Sequence, residues 1–162
     1  LQTVYTAAMD KKLTVGGTVL VTIVDSDDFG ECSTTLVNSV QTILDPEENA
    51  GEGYGIAPIG HVIRVKSASA VQINITTTLT YEEGYNWGNL KRSIEAAVMT
   101  YLLELRKEWA NRNNLIVRIS RIDSEILNIK GIADIEGTTL NGETSNLTLG
   151  EYEIPILGGV TV

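Results

Sequence analysis

Acidic clusters, one histidine and one cysteine are the features of this sequence that most resemble a chemical site. The run Asp25-Ser26-Asp27-Asp28-Phe29-Gly30 begins like a calcium loop, with acids at positions one and three and glycine at six. Its fifth position is Phe29, and its twelfth is Leu36, where a calcium loop needs a bidentate glutamate. A solvated turn is the better interpretation of this run.

Two pairs of adjacent glutamates, Glu47-Glu48 and Glu82-Glu83, raise the possibility of carboxylate-based glycoside hydrolysis. That reaction needs two carboxyl groups at a defined separation inside a sugar-binding cleft. Adjacent residues of a strand point to opposite faces, and the sequence offers only two Trp and one Phe for stacking on sugars. We therefore expect no catalytic pair here.

Single residues give equally weak signals. His61 has no cysteine or acid at ligand spacing, so we expect an exposed or structural histidine. Cys32 precedes a predicted helix, whose dipole lowers a thiol pKa, but a small buried side chain is the simpler expectation. The segment Gly51-Glu52-Gly53-Tyr54-Gly55 lacks the lysine and following helix of a phosphate loop, and is predicted to be a flexible loop. The sequence predicts no enzyme, no metal and no cofactor.

One long helix organises the predicted elements. From about Trp87 to Ala110, apolar residues recur at three- and four-residue steps, and Asn86 or Asn89 can cap its start. The predicted inner face consists of Leu90, Ile94, Ala97, Val98, Tyr101, Leu102, Leu105 and Trp109. Ordering so long a helix costs about 1–2 kcal/mol per residue, so it must pack on a larger core.

Strand-like segments lie on both sides of that helix. Thr18–Asp25 and Val62–Ser67 are β-branched, and residues 71–81 alternate between apolar and polar side chains. Shorter helices are predicted over about 35–44, with Leu36, Val37, Val40, Ile43 and Leu44 buried, and over 121–128, with Ile122, Ile126 and Leu127 inward. Strands 132–136 and 146–149 surround the hairpin signal Asn141-Gly142.

This order predicts an α+β protein of two small domains, each a mainly antiparallel sheet packed against helix. The first domain covers residues 1–68 as strand, helix and strand, and the second covers residues 69–162 with the long helix. The start at Leu1, already in strand-like sequence, suggests a fragment whose N-terminal part is missing. One cysteine excludes an internal disulfide and favours production in the cytoplasm.

Charge and hydropathy exclude two partner classes. The net charge of −9, without a basic stripe, argues against nucleic acid, and no apolar run is long enough for a membrane. The uncharged ending 154–162 favours a protein partner instead, since Pro155 restricts it to a sheet edge and free edges pair with other chains. We expect protein contacts there at Ile154, Ile156, Leu157 and Val160. The acidic loop near Glu47 and Glu52 is a second choice, and coverage of the edge by its own domain remains an alternative.

Several segments in order resemble the baseplate J-like family of phage tail proteins. They are IAPIGHVIRVKSASAVQINITTTLTYEEGY (56–85), the AAVMTYLLEL of the long helix, SRIDSEILNIKGIADI (120–135) and LNGETSNLTLGEYEIPILGGVTV (140–162). The upstream GGTVLVTIVD also fits, so the resemblance covers nearly the whole chain, and its ending is the most specific part. His61 and Ile129-Lys130 depart from the family pattern.

The resemblance implies a structural component of the baseplate of a contractile tail, made in the bacterial host cytoplasm. Its implied partners are other baseplate wedge proteins and copies of itself, and its implied mechanism is mechanical, a repacking of interfaces between two arrangements. The alternative is a small-ligand-binding or regulatory α+β module. That alternative predicts a saturable ligand that raises the melting temperature.

Overall fold

A computed structural model describes residues 2–4, 17–112 and 114–162. The chain divides into two compact units, Leu1–Ser69 and Ala70–Val162. Helices and strands occur in both, which confirms the predicted α+β class.

The described residues of unit 1 form a three-stranded sheet and one α-helix. Its elements are β1 (Gln2–Val4), β2 (Thr18–Ile23), α1 (Thr34–Leu44), a 3-10 turn (Glu47–Asn49) and β3 (Val62–Ser67). The strand order is β1-β2-β3, with β1 and β2 antiparallel.

The sheet of unit 1 is mixed, which corrects the prediction of a mainly antiparallel sheet. Strands β2 and β3 run parallel, with Thr18 opposite Val62 and Ile23 opposite Ser67. Parallel neighbours need a crossover of a dozen or more residues, and the chain between β2 and β3 contains α1. The strand–helix–strand order is thus a crossover unit.

Helix α1 begins where predicted but exposes part of its predicted inner face. Ser33 caps it by accepting a hydrogen bond from the backbone N–H of Leu36. Leu36 and Ile43 are exposed, at 37% and 57%, whereas Gln41 is buried. The prediction that both apolar residues are buried was wrong, because α1 meets β3 through hydrogen bonds of Gln41.

Unit 2 holds the long helix and two small sheets. Its elements are β4 (Ser69–Tyr81), α2 (Trp87–Glu108), a 3-10 turn (Trp109–Asn111), β5 (Ile116–Val117), α3 (Ile119–Leu127), β6 (Ile132–Leu140), β7 (Leu147–Thr148) and β8 (Glu153–Thr161). The main sheet has the order β6-β4-β8, and the second pairs β5 with β7.

The central strand β4 has one dry face and one wet face, as its alternation predicts. Ile73, Ile75 and Thr77 are buried, at 0%, 1% and 3% exposure, and the polar residues between them are exposed. Helix α2 packs on β8, and α3 packs on β6. The core of unit 2 therefore lies between the sheet and its two helices.

Helix α2 spans 22 residues and starts with the predicted cap. The side chains of Asn86 and Asn89 each accept a hydrogen bond from the other residue's backbone N–H. Six of the eight predicted inner-face residues are buried: Leu90, Ile94, Val98, Tyr101, Leu102 and Trp109. The three- and four-residue periodicity thus located the contact face of this helix.

The Asn141-Gly142 turn does not join a hairpin of β6 and β7, so that prediction was wrong. Strand β6 pairs with β4, and β7 pairs with β5. The turn itself forms, with positive φ at both residues, but the flanking chains separate after one bridge between Leu140 and Glu143. The Asn141 side chain instead bonds the β4 backbone, accepting from the Asn74 N–H and donating to the Gln72 carbonyl.

Helix α3 is tied to the sheet by buried hydroxyls. The Thr138 hydroxyl donates to the Asp123 carboxylate at 2.6 Å and lies 2.8 Å from the Thr77 hydroxyl. Ile122 and Ile126 are buried as predicted, but Leu127 is 42% exposed, which corrects its predicted inward position. Leu127 follows Ile126 by about 100° around the helix, which turns it away from β6. Among the described helices, none is long and apolar enough to cross a membrane.

Candidate functional site

The last strand, β8, lies at one edge of the main sheet of unit 2, as Pro155 predicted. One side of β8 pairs with β4. Within residues 17–112 and 114–162, no strand pairs with its other side. The backbone groups along an unpaired edge offer hydrogen bonds to a strand from another chain.

The four predicted contact residues divide into two groups. Ile154 and Val160 are buried in the core of unit 2, at 0% and 8% exposure. Ile156 and Leu157 are half-buried. Ile156 and Leu157 therefore keep part of their surface exposed on this strand, while Ile154 and Val160 pack in the core of unit 2.

The opposite edge strand, β6, carries features that discourage pairing. It presents the exposed acids Asp134 and Glu136, and its register with β4 shifts near Thr76 and Thr78. Charges and bulges are the usual means of blocking an edge. Strand β8 has the same length of nine residues but only one charged side chain, Glu153, at its start. The edge of β8 thus lacks the charges that β6 carries along its length.

The acidic turn after β2 uses its carboxylates for its own backbone. Asp25 accepts a hydrogen bond from the Asp27 N–H, and Asp28 accepts one from the Gly30 N–H, each at 2.8 Å. Phe29 has a φ of +56°, and the Asp25 N–H donates to the Gly30 carbonyl. Among the described residues, no three His, Cys, Asp or Glu side chains are placed so that they could hold a metal ion together. The segment has the geometry of a closed turn.

The other candidate residues are exposed and are divided between the two units. Glu47 and Glu48 are exposed on the 3-10 turn of unit 1, and Glu82 and Glu83 are exposed on the turn between β4 and α2 in unit 2. His61 is exposed beside the start of β3. Glu47 and Glu48 line a cleft beside α1, and the other residues lining that cleft include neither His61 nor a further carboxylate.

The thiol of Cys32 has a raised pKa, opposite to the lowering that a helix dipole would give. Partial burial is the main cause, and the negative charge of Asp25 adds to it. A hydrogen bond from Ser67 acts in the other direction. The shift is therefore opposite in direction to that of an activated cysteine.

The glycine-rich segment bonds to a buried acid. Asp45 is fully buried, and its carboxylate accepts from the backbone N–H groups of Gly51 and Ile63, each at 2.9 Å. Beside it, Gln41 donates to the Ile63 carbonyl and accepts from the Val65 N–H. These side chains occupy the outer edge of β3. The Gly51 N–H thus donates to the Asp45 carboxylate of the same unit. In a phosphate loop, by contrast, the backbone N–H groups are free to bind a ligand.

Sequence reasoning missed a cluster of exposed apolar residues near this segment. Ile43, Tyr54, Ile56 and Ile59 are 57–80% exposed. Hydrophobicity predicted burial for Ile43, and no periodicity marked the others. Of the four, only Tyr54 lies in the loop predicted over 51–55; Ile43 lies in α1, and Ile56 and Ile59 lie between that loop and β3.

The described clefts are lined in large part by polar and charged side chains. A cleft of about 370 Å³ lies beside α1 and is lined by Asn38, Gln41, Thr42, Pro46, Glu47, Glu48 and Asn49. A cleft of about 270 Å³ lies between α2 and the chain leading into α3, lined in part by Glu104, Arg118 and Arg121. Its Glu108 and Arg112 form an ion pair at 2.6 Å. Pockets for small molecules are mostly apolar and measure about 300–1,000 Å³. This cleft is smaller and lined by charge.

Comparison with known proteins identifies relatives for most of the chain. The family described as Baseplate J-like protein C-terminal domain matches residues 73–162, nearly all of unit 2. Phage-like element PBSX protein XkdT of Bacillus subtilis (strain 168) is 32% identical over 146 residues, which are 90% of this chain and 40% of that protein. Uncharacterized protein YqbT of the same organism matches with the same identity and coverage.

Among solved structures, a chain in the cryo-EM structure of the anti-feeding prophage (AFP) baseplate, 6-fold symmetrised, is similar to 90% of this chain. The TM-score is 0.49, the identity is 10%, and the match covers 29% of that chain. The sequence spans about 40% of the length of the two curated relatives.

Proposed function

The chain belongs to the baseplate J-like family through its C-terminal domain, and from this we propose that it is a structural component of a phage-tail baseplate. It acts by binding neighbouring proteins in the tail and has no catalytic step. The family match over residues 73–162 is the observation that carries this proposal. The 32% identity to a phage-like element protein along 90% of the chain supports extending it to unit 1.

The edge of β8 is the proposed contact with neighbouring baseplate proteins or copies of the chain. Its backbone groups pair with a partner strand, and Ile156 and Leu157 contact the partner's side chains. Ile154 and Val160 anchor β8 to α2 and the rest of the core, so the strand is already extended before it binds. An ordered edge loses little conformational entropy on association.

Deletion of the gene tests the proposed function. Particles from a producing strain with the gene deleted are compared by electron microscopy with those from the same strain carrying the gene on a plasmid. We expect incomplete baseplates or no assembled tails after deletion, and normal tails after complementation. Complete tails in the deletion strain would overturn the structural role.

The ligand-binding alternative has its own readout. A metabolite that binds the folded chain raises its melting temperature by mass action. The charged lining of the 270 Å³ cleft favours no particular ligand. Ligand binding therefore remains the alternative function, and complete tails in the deletion strain would favour it over the structural role.

A further inference from the structure

Unit 1 exposes four large apolar side chains on one short stretch of chain. We call Ile43, Tyr54, Ile56 and Ile59 the loop surface; their exposed fractions are 57%, 73%, 72% and 80%. Single exposed apolar residues are common on soluble proteins, but groups of them mark places where another molecule binds. The charge on the same stretch identifies which class of molecule binds here.

The loop that carries Tyr54, Ile56 and Ile59 is held against the end of α1, which carries Ile43. The Ile56 N–H donates to the Ile43 carbonyl at 3.0 Å, and the Ala57 N–H donates to the Leu44 carbonyl at 2.9 Å. Ala57 is buried between the exposed Ile56 and Ile59. These bonds place Ile43 of the helix beside Ile56 of the loop.

Two further features fix the loop in this conformation. A Cβ atom on Gly55 would lie 2.5 Å from the Leu44 carbonyl oxygen, so only glycine allows this close approach. The buried Asp45 carboxylate holds the Gly51 N–H, and the Gly60 N–H donates to the Gly51 carbonyl. The apolar side chains are therefore presented by a hydrogen-bonded loop, which lowers the entropic cost of binding.

Acidic residues accompany the loop surface without any basic residue among them. Glu47, Glu48 and Glu52 are exposed on the same loop. Along residues 43–60 the only charged side chains are Asp45, Glu47, Glu48 and Glu52. Asp45 is buried, so the exposed charge of this stretch comes from the three glutamates and is negative.

The negative charge beside the loop surface indicates which class of molecule binds there. Two copies meeting through this surface would bring like charges together, which costs free energy at an interface. Nucleic acid and anionic lipid are repelled for the same reason. A protein with apolar side chains bordered by Lys or Arg is attracted by the acids and covers the apolar residues.

We propose that the loop surface docks a neighbouring tail protein through an apolar patch bordered by Lys and Arg. This inference rests on the proposed function, which supplies the tail as the setting. It adds a second contact, on unit 1 and separate in sequence from the β8 edge, and it gives the chemistry of the partner.

Photo-crosslinking in assembled particles tests the proposal. Ile59 is replaced by benzoylphenylalanine in the full gene product, in the host strain, and purified tails are irradiated. Met99, which is 51% exposed on α2, takes the same replacement as the control. We expect a crosslink from position 59 to a different tail protein, at an apolar site flanked by Lys or Arg.

Substitutions supply a second readout. One variant carries I56S and I59S and so loses apolar side chains from the loop surface. A second variant carries E47K, E48K and E52K, which makes the charge of the loop positive. M99S and the pair E82K with E83K are the matched controls, since these residues are exposed elsewhere in the chain. We expect circular dichroism to show that both loop-surface variants fold. We expect each variant to lower the yield of complete tails about tenfold or more. The controls leave the yield unchanged.

The outcomes separate this inference from the proposed function. If the chain is present in tails but position 59 gives no crosslink and the variants assemble normally, the docking proposal is wrong and the baseplate role stands. A crosslink to a second copy, or to a site without basic residues, also overturns it. If the chain is absent from tails, the baseplate role fails and the docking proposal fails with it.

Discussion

At the residue scale, buried polar side chains hold unit 1 together where apolar packing was expected. Gln41 and Asp45 satisfy backbone groups along the outer edge of β3, so that edge is occupied by side chains of the same unit. A buried N–H without an acceptor costs about 1–3 kcal/mol, so these bonds are needed once the edge is covered.

Replacing Asp45 with alanine tests this role. The variant leaves the N–H groups of Gly51 and Ile63 without acceptors, and we expect a loss of about 3 kcal/mol in the free energy of unfolding. Urea titration followed by circular dichroism measures it. Glu48→Ala is the control, because Glu48 is an exposed acid of the same loop and its loss should cost under about 0.5 kcal/mol. Equal effects would show that the Asp45 bonds contribute nothing particular.

Tyr101 gives a pH-dependent prediction. Burial raises the pKa of its hydroxyl, which accepts a hydrogen bond from the Arg118 N–H at 3.0 Å. The unfolded chain ionises this group near its ordinary value of about 10. The neutral hydroxyl therefore contributes its full stability below that pH, and the contribution is lost as the pH rises through the raised value.

Tyr101→Phe removes both the hydrogen bond and the titration. We expect wild type to be more stable than the variant by about 1 kcal/mol at pH 8, because the variant leaves the Arg118 N–H without its acceptor. At pH 11 the difference should shrink. Urea midpoints at the two pH values measure it, and a constant difference would refute the assignment.

At the element scale, local patterns predicted elements well and their partners poorly. The bounds of β3 were predicted as found, and the alternation in β4 located its buried face, because both follow from periodicity within one segment. The Asn141-Gly142 turn formed, but which strands pair depends on contacts distant in sequence. The rotation of α1 was also missed, since nothing local marks Gln41 as buried.

At the candidate site, too, the sequence predicted the position of the strand but not which of its side chains are buried. An edge position for β8 followed from Pro155 and an uncharged run. Its apolar residues look alike in sequence, however, and only the structure separates the buried Ile154 and Val160 from the half-buried Ile156 and Leu157. The loop surface was missed because Tyr54, Ile56 and Ile59 follow no helical or strand period, and because helical periodicity wrongly predicted burial for Ile43.

Lysine substitution at the β8 edge tests its proposed contact. Ile156→Lys and Leu157→Lys place charge at half-buried positions whose long side chains can extend to water, so we expect the fold to survive. Because an edge lysine opposes pairing, complete tails should decrease about tenfold or more when counted by electron microscopy. Ile135→Lys, at a half-buried position of the opposite edge strand, is the matched control and should assemble normally. Normal assembly of all three variants would remove β8 as a contact.

At the scale of the whole molecule, charge is concentrated in one segment. Residues 25–60 carry eight acids and no base, and the remaining residues carry a net charge of −1. Acidity is thus a property of the crossover in unit 1. Each unit thus has one proposed contact, an apolar and acidic loop on unit 1 and a strand edge with little charge on unit 2.

The most direct test of the baseplate role is to locate the chain in native particles. Cryo-electron microscopy of purified tails from the producing strain, at a resolution that shows helices, would be searched for α2 with its β6-β4-β8 sheet. We predict density for this unit in repeated copies at the baseplate, with the outer edge of β8 against protein. Complete baseplates without this unit, together with its absence from the particles by mass spectrometry, would contradict the account.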